Sequence, residues 1–155
     1  MIYIFDSNSL IDLFKNFYFK RFPSLWEKFD QAVDEKQIIS VREVIHEIGN
    51  RGDRLSDWSK EHRTLFQQPT PDELIFVTEI FKVPHFQSMV RKKERLLGKP
   101  VADPFVIAKA KVMEACVITQ ENNKPNSSRI PNVCEYFKIE CSNLEGFMEQ
   151  ENWIF

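Results

Sequence analysis

Short apolar runs in this chain alternate with longer stretches whose apolar residues recur every three or four positions. The opening run Met1–Phe5 predicts a strand that ends on Asp6, and the spacing over Leu10–Phe19 predicts a helix. Pro23 breaks that pattern. Leu25, Trp26, Phe29, Ala32 and Val33 then trace one face of a second helix. Gln37–Ile39 reads as a short strand, and Ser40 with Glu43 three residues on has the capping-box signature of a third helix. Gly49 and Gly52 end or bend it. Asp53–Phe66 predicts a polar, exposed helix, QQPTPDE a loop with Asp72 near a new helix start, and Leu74–Val83 the continuation of that helix. Pro84 interrupts, and a basic helix is expected through MVRKKERLLG. In VADPFVIAKAKVMEA the pattern predicts a helix with Asp103 as N-cap and Pro104 behind it. CVIT and KIEC read as strands around the loop ENNKPNSSRIP, and Leu144–Gln150 closes the chain with a helix.

Strands alternating with helices in this way predict an α/β fold: a central, mostly parallel sheet covered by helices on both faces. No linker or repeat interrupts the 155 residues, so one domain over 1–155 is expected. Hydrophobic content of 43% with four glycines supports a packed core, and most of the 14 phenylalanines read as core filler. No apolar run approaches the roughly 20 residues of a membrane span. The N-terminus lacks a basic region followed by a small-residue cleavage site. Cys116, Cys134 and Cys141 form no CxxC pair and leave an odd count, which suits a reducing cytoplasm. A net charge of −2 provides no general attraction to nucleic acid, so contact with it needs a local basic patch.

In a parallel sheet, sites form where strands end and loops turn into helices. Asp6 follows the first strand at that edge, and Glu121 follows CVIT by two residues. Asp103 opens the helix leading into CVIT, and Glu47 lies one turn beyond Glu43 on the helix after QIIS. Four carboxylates from distant parts of the chain are thus candidates for one rim. Like charges brought together repel and take up protons unless a cation intervenes. Magnesium or manganese suits such a set, being hard ions satisfied by carboxylate and water oxygens. A pair of them about 4 Å apart activates water and stabilises the leaving oxygen of a phosphodiester. No His or Cys has the spacing of a zinc ligand.

The segments YIFDSNSLIDLF, ISVREVIHEI, VADPFVIAKAKVMEACVITQE and IPNVCEYFKIECSNLEGFM together resemble the PIN domain, in particular the small prokaryotic PIN-type toxins. The likeness extends from the first strand to the last helix. It implies a three-layer α/β/α sandwich and a magnesium- or manganese-dependent endoribonuclease, the toxin of a toxin–antitoxin pair. A cytoplasmic homodimer bound by a cognate antitoxin is part of that expectation, with RNA as substrate. Position by position, Asp6 matches the family's first metal-binding aspartate and Asn8 the polar residue beside it. Glu47 matches the glutamate after the second strand, Asp103 the aspartate opening the later helix, and Thr119 a hydroxyl residue of the site. The family commonly has aspartate as its fourth acid. TQENNK makes Glu121 the nearest candidate here, and Glu43 is a substitute for Glu47.

Each residue also has a plainer role. Asp103 before Pro104 is a good helix cap, and capping and metal binding are compatible on one carboxylate. For Asp6, Ser9 with Asp12 already supplies a capping pattern, which tilts Asp6 toward function. Glu121 reads equally as a solvated loop acid. His46, His62 and His85 have no partner that makes a relay. Arg91, Lys92, Lys93 and Arg95, just before Asp103, are either a solvated helix face or contacts to an RNA backbone. Arg51 and Arg54 are lesser candidates for that role. Trp58 and Phe66 are expected in packing rather than base stacking, and Phe17, Phe19 and Phe22 form a candidate dimer surface. Two rivals stay open: a PIN-like binding module with an impaired metal site, and another magnesium-dependent α/β enzyme such as a phosphatase or receiver. Against the latter, Asn8 stands where those folds often carry a second aspartate.

Overall fold

The structure is a computed structural model that describes residues 1–49, 52–90 and 101–155. Its centre is a five-stranded, all-parallel sheet in the order β3-β2-β1-β4-β5, flanked by helices as an α/β/α sandwich. β1 (Tyr3–Phe5) is the middle strand, between β2 (Ile38–Val41) and β4 (Cys116–Ile118). All ten residues of these three strands are buried, the continuous apolar run expected of a sheet covered on both faces. Ser40 fits this setting because its hydroxyl donates to the Phe5 carbonyl at 2.6 Å. β3 (Phe66–Gln67) and β5 (Cys141–Ser142) are two-residue edge strands.

The helices start where capping chemistry allows. α1 (Ser7–Asn16) begins three residues earlier than its apolar spacing indicates, because Asp6 itself is the N-cap and accepts from Ser9 N at 2.9 Å. The Ser9 hydroxyl turns back to the Asp6 carbonyl, so Ser9 is not the cap. α2 (Pro23–Asp34) has Pro23 at its first position. α3 (Arg42–Ile48) begins two residues after Ser40, which belongs to β2, so the expected capping box does not form. Gly49 ends α3 at φ +69°, a backbone that glycine adopts without a Cβ clash. α4 (Arg54–Glu61) is capped by Asp53 and stops well short of Phe66, which instead pairs in β3. α5 (Pro71–Phe81) is capped by Thr70. A 3-10 turn over Pro84–Met89 follows it and takes in Met89, the first residue of the expected basic helix. The remainder of that expected basic helix, with Arg91, Lys92, Lys93 and Arg95, lies outside the described residues, as does Arg51.

α6 (Asp103–Met113) has Asp103 as its first helical residue, and the flanking Ala102 has no side chain to cap it. The sequence expectation of Asp103 as N-cap is therefore corrected by one position. α7 (Ile130–Phe137) ends on Lys138 in the left-handed region, and β5 starts three residues later, and ends one residue later, than KIEC suggests. α8 (Leu144–Gln150) is capped by Asn143, whose Oδ1 accepts from Gly146 N. α5 packs along α6, and a buried ion pair fixes the two together. Lys109 Nζ lies 3.0 Å from Glu73 Oε1 and 3.1 Å from Gln67 Oε1. The Thr70 hydroxyl donates to Glu73 Oε2 at 2.7 Å, while Glu73 Oε1 makes no hydrogen bond and has the Lys109 ammonium as its charge partner.

Candidate metal centre

Because every strand is parallel, Asp6, the start of α3 and Thr119 all leave the sheet at its carboxyl edge. The chain winds from β1 out through β2 to β3 and then returns to the other side of β1 as β4. The gap between β1 and β4 is thus the topological switch point, the crevice where α/β sheets bind ligands. Asn8 and the first residues after β4 close this gap. Asn8 Oδ1 accepts from Gln120 N at 2.8 Å and from the Thr119 hydroxyl at 3.3 Å. The same hydroxyl accepts from Glu121 N at 3.2 Å and lies within hydrogen-bonding reach of the Asp6 carboxylate. Asn8 and Thr119 therefore act first as ties between two strand ends.

Asp6 is 3% exposed. Burial pushes its carboxyl up to about 7, and the nearby Glu121 charge adds to that rise. Hydrogen bonds from Thr119 and Ser9 oppose it without cancelling it. Asp6 is a helix cap and also a desolvated acid: the two roles share one carboxylate.

Glu47 bonds to the sequence neighbours of the first and third candidate acids. Its Oε2 accepts from the Ser7 hydroxyl at 3.2 Å, and its Oε1 accepts from Ala102 N at 3.0 Å. Ser7 is the residue after Asp6, and Ala102 the residue before Asp103. One carboxylate thus brings the start of α1 to the start of α6. The plain and functional readings of α3 change places here. Glu47, which has no structural role in the sequence pattern, holds two donors. Glu43, which has a capping role there, caps nothing, and it is 3% exposed. Its Oε2 accepts from the Arg42 guanidinium at 3.1 Å, while its Oε1 is buried with no hydrogen-bond partner. Glu43 and Glu47 are one turn apart, so they share a face of α3. A buried carboxylate oxygen without a donor is costly unless a cation or a proton meets it.

Glu121 is no loose loop acid. Its Oε2 accepts from Ile130 N at 3.0 Å, satisfying an orphan donor at the start of α7 that Arg129 leaves uncapped. Among the described residues, no three His, Cys, Asp or Glu side chains are drawn close enough to hold a metal ion between them. The donor chemistry still suits a hard cation: the buried Asp6 carboxyl with its raised pKa, the exposed carboxylate of Glu47, the half-buried one of Glu121, an amide and a hydroxyl, with the unmet oxygen of Glu43 on the same helix as Glu47. His62 stacks on Trp58 and holds its carbonyl, outside this centre. Phe66 is buried in β3, and Trp58 is edge-on to Phe14 within an aromatic cluster.

A family described as "Domain of unknown function (DUF4411)" matches residues 3–155, from β1 to the last residue. The chain belongs to the DUF4411 family. No curated protein matches the sequence. Every candidate acid of this DUF4411 protein falls within the matched region, and no helix among the described residues is long and apolar enough to cross a membrane.

Proposed function

We propose that this DUF4411 protein is a divalent-metal-dependent endoribonuclease of PIN type. Asp6, Glu47, Asp103 and Glu121 would hold magnesium or manganese, with Glu43 as an additional oxygen donor. The observation that carries the reading is the Glu47 bridge. It ties the residue after Asp6 to the residue before Asp103, across a sequence separation of 55 on one side and 40 on the other. The raised carboxyl of Asp6 beside Glu121 supports it, since a cation would let that group ionise below its metal-free pKa.

When bound, the ion supplies an activated water and neutralises charge on the phosphodiester. The chain's own residues do the rest. Ser9 N and Thr119 orient Asp6, and Asn8 keeps the ends of β1 and β4 in register. Ile130 N fixes the angle of Glu121. The basic segment with Arg91, Lys92, Lys93 and Arg95 precedes α6 in the chain and is proposed to contact the RNA backbone. A toxin role, a homodimer and an antitoxin partner belong to the same reading, by resemblance.

The second reading is a PIN-like module that binds without cutting. It is favoured by the engagement of both Glu47 oxygens and one Glu121 oxygen in backbone and hydroxyl bonds. Incubation of single-stranded RNA with the purified protein and manganese separates the two. The nuclease reading expects cleavage by the wild type, its abolition by EDTA, and a loss of about 100-fold or more in Asp6→Asn and Asp103→Asn. Uncut RNA from a folded wild type, with RNA retained on the protein, would establish the binding module.

A further inference from the structure

A cavity of about 390 Å³ opens beside the candidate centre and shares Thr119 and Glu121 with it. Its polar wall consists of Asn122, Asn123, Ser142 and Asn143, with the carboxylates of Glu121 and Glu135. Pro131 and Ile139 add an apolar surface. Among the described residues, no lysine or arginine lines it. The Glu135 carboxylate, which the proposed ion does not use, repels a phosphate and accepts N–H donors instead. Asn123 already shows this preference, donating its amide to Glu135 Oε2 at 2.9 Å on the exposed side. Asn143 uses its oxygen to cap α8, which leaves its NH₂ group as the end able to meet a ligand. A flat heterocycle with donors on its edge and an apolar face matches this combination, as single-stranded RNA bases do.

We propose that the cavity is a base-reading subsite that takes the nucleobase next to the cut and selects bases bearing an exocyclic amino group over uracil. The proposal rests on the nuclease reading for its place beside a scissile bond, but the chemistry of the cavity is testable without catalysis. Adenine, cytosine and guanine each present an amino group that displaces the Asn123 amide from Glu135. Uracil presents carbonyl oxygens on either side of its one ring N–H, and these face the carboxylates unfavourably.

The test is a titration of the isotope-labelled full chain in EDTA with adenosine, cytidine, guanosine and uridine, observing the side-chain amides of Asn122, Asn123 and Asn143. The amino-bearing nucleosides are expected to shift these signals and to bind about tenfold tighter than uridine, the effect of one charge-assisted hydrogen bond. Asn122→Ala and the near-isosteric Glu135→Gln are expected to reduce that preference to about threefold or less, with the remaining amide dispersion intact. Equal binding of uridine overturns the proposal. So do shifts confined to other surfaces, or no shift at roughly 10 mM nucleoside. Selective nucleoside binding by a protein that leaves RNA uncut would remove the nuclease reading and retain the base site. Cleavage without nucleoside selectivity would do the reverse.

Discussion

Asp6 makes the metal-free protein sensitive to pH in a direction opposite to that of most carboxylates. Its carboxyl titrates near 7 in the folded chain and near 3.8 when unfolded, so the folded state binds the extra proton between those values. The stability it contributes is complete below about pH 4 and is lost as pH rises through 7, about 4 kcal/mol in all. Chemical denaturation in EDTA is therefore expected to give higher stability at pH 5 than at pH 8, and Asp6→Asn is expected to flatten that difference. An unchanged pH profile in the variant would refute the buried, protonated Asp6. Glu47 makes a different prediction. Glu47→Ala should cost about 1–3 kcal/mol in thermal or denaturant unfolding, because Ala102 N then loses its acceptor at the start of α6. Glu47→Gln keeps an amide oxygen for that N–H and should cost less. Equal loss in both variants would mean that charge, rather than the hydrogen bond, sets the stability.

Between α5 and α6 the interlock is the Lys109–Glu73 pair, sealed with Gln67 and Thr70. Lys109→Met leaves the Glu73 carboxylate buried without its cation, and denaturant unfolding should show a loss of about 3–5 kcal/mol. Glu73→Leu in the same chain removes the stranded charge and should restore much of that loss. Additive losses would show that the pair is not coupled. This ion pair had no signature in the sequence, since it joins residues 36 positions apart whose neighbours read as ordinary helix. The same reason hid β3: two residues, Phe66–Gln67, make no alternation, and only the neighbouring strand identifies them. Legible were the elements with their own periodicity or run: the buried strand at Tyr3–Phe5, the stripe of Leu25, Trp26 and Phe29, and the apolar faces of α6. Caps were legible in kind and misplaced in register. Asp6 competes with Ser9 for its cap, Asp103 yields the flanking position to Ala102, and the Ser40 hydroxyl is drawn away to the Phe5 carbonyl.

Across the whole molecule, the parallel order 3-2-1-4-5 turns five separate strand ends into one edge, with the switch point between β1 and β4. That topology explains why candidate acids were readable from strand ends alone while their roles were not. Position along a strand shows which edge a residue reaches. It does not show that Glu47 is held by Ser7 and Ala102, or that Glu43 keeps an unmet buried oxygen. With a net charge of −2, the proposed RNA binding depends on a local basic stretch, and its affinity should fall steeply as salt rises. The most direct test of the central claim is the binding of manganese to the wild type and to Asp6→Asn, Glu47→Gln and Asp103→Asn, by isothermal titration or paramagnetic resonance. The account predicts binding by the wild type and at least about tenfold weaker binding in each variant, because the proposal assigns all three residues to one ion site. A folded wild type that takes up no manganese, or an Asp103→Asn variant that binds it as tightly as the wild type, would contradict it.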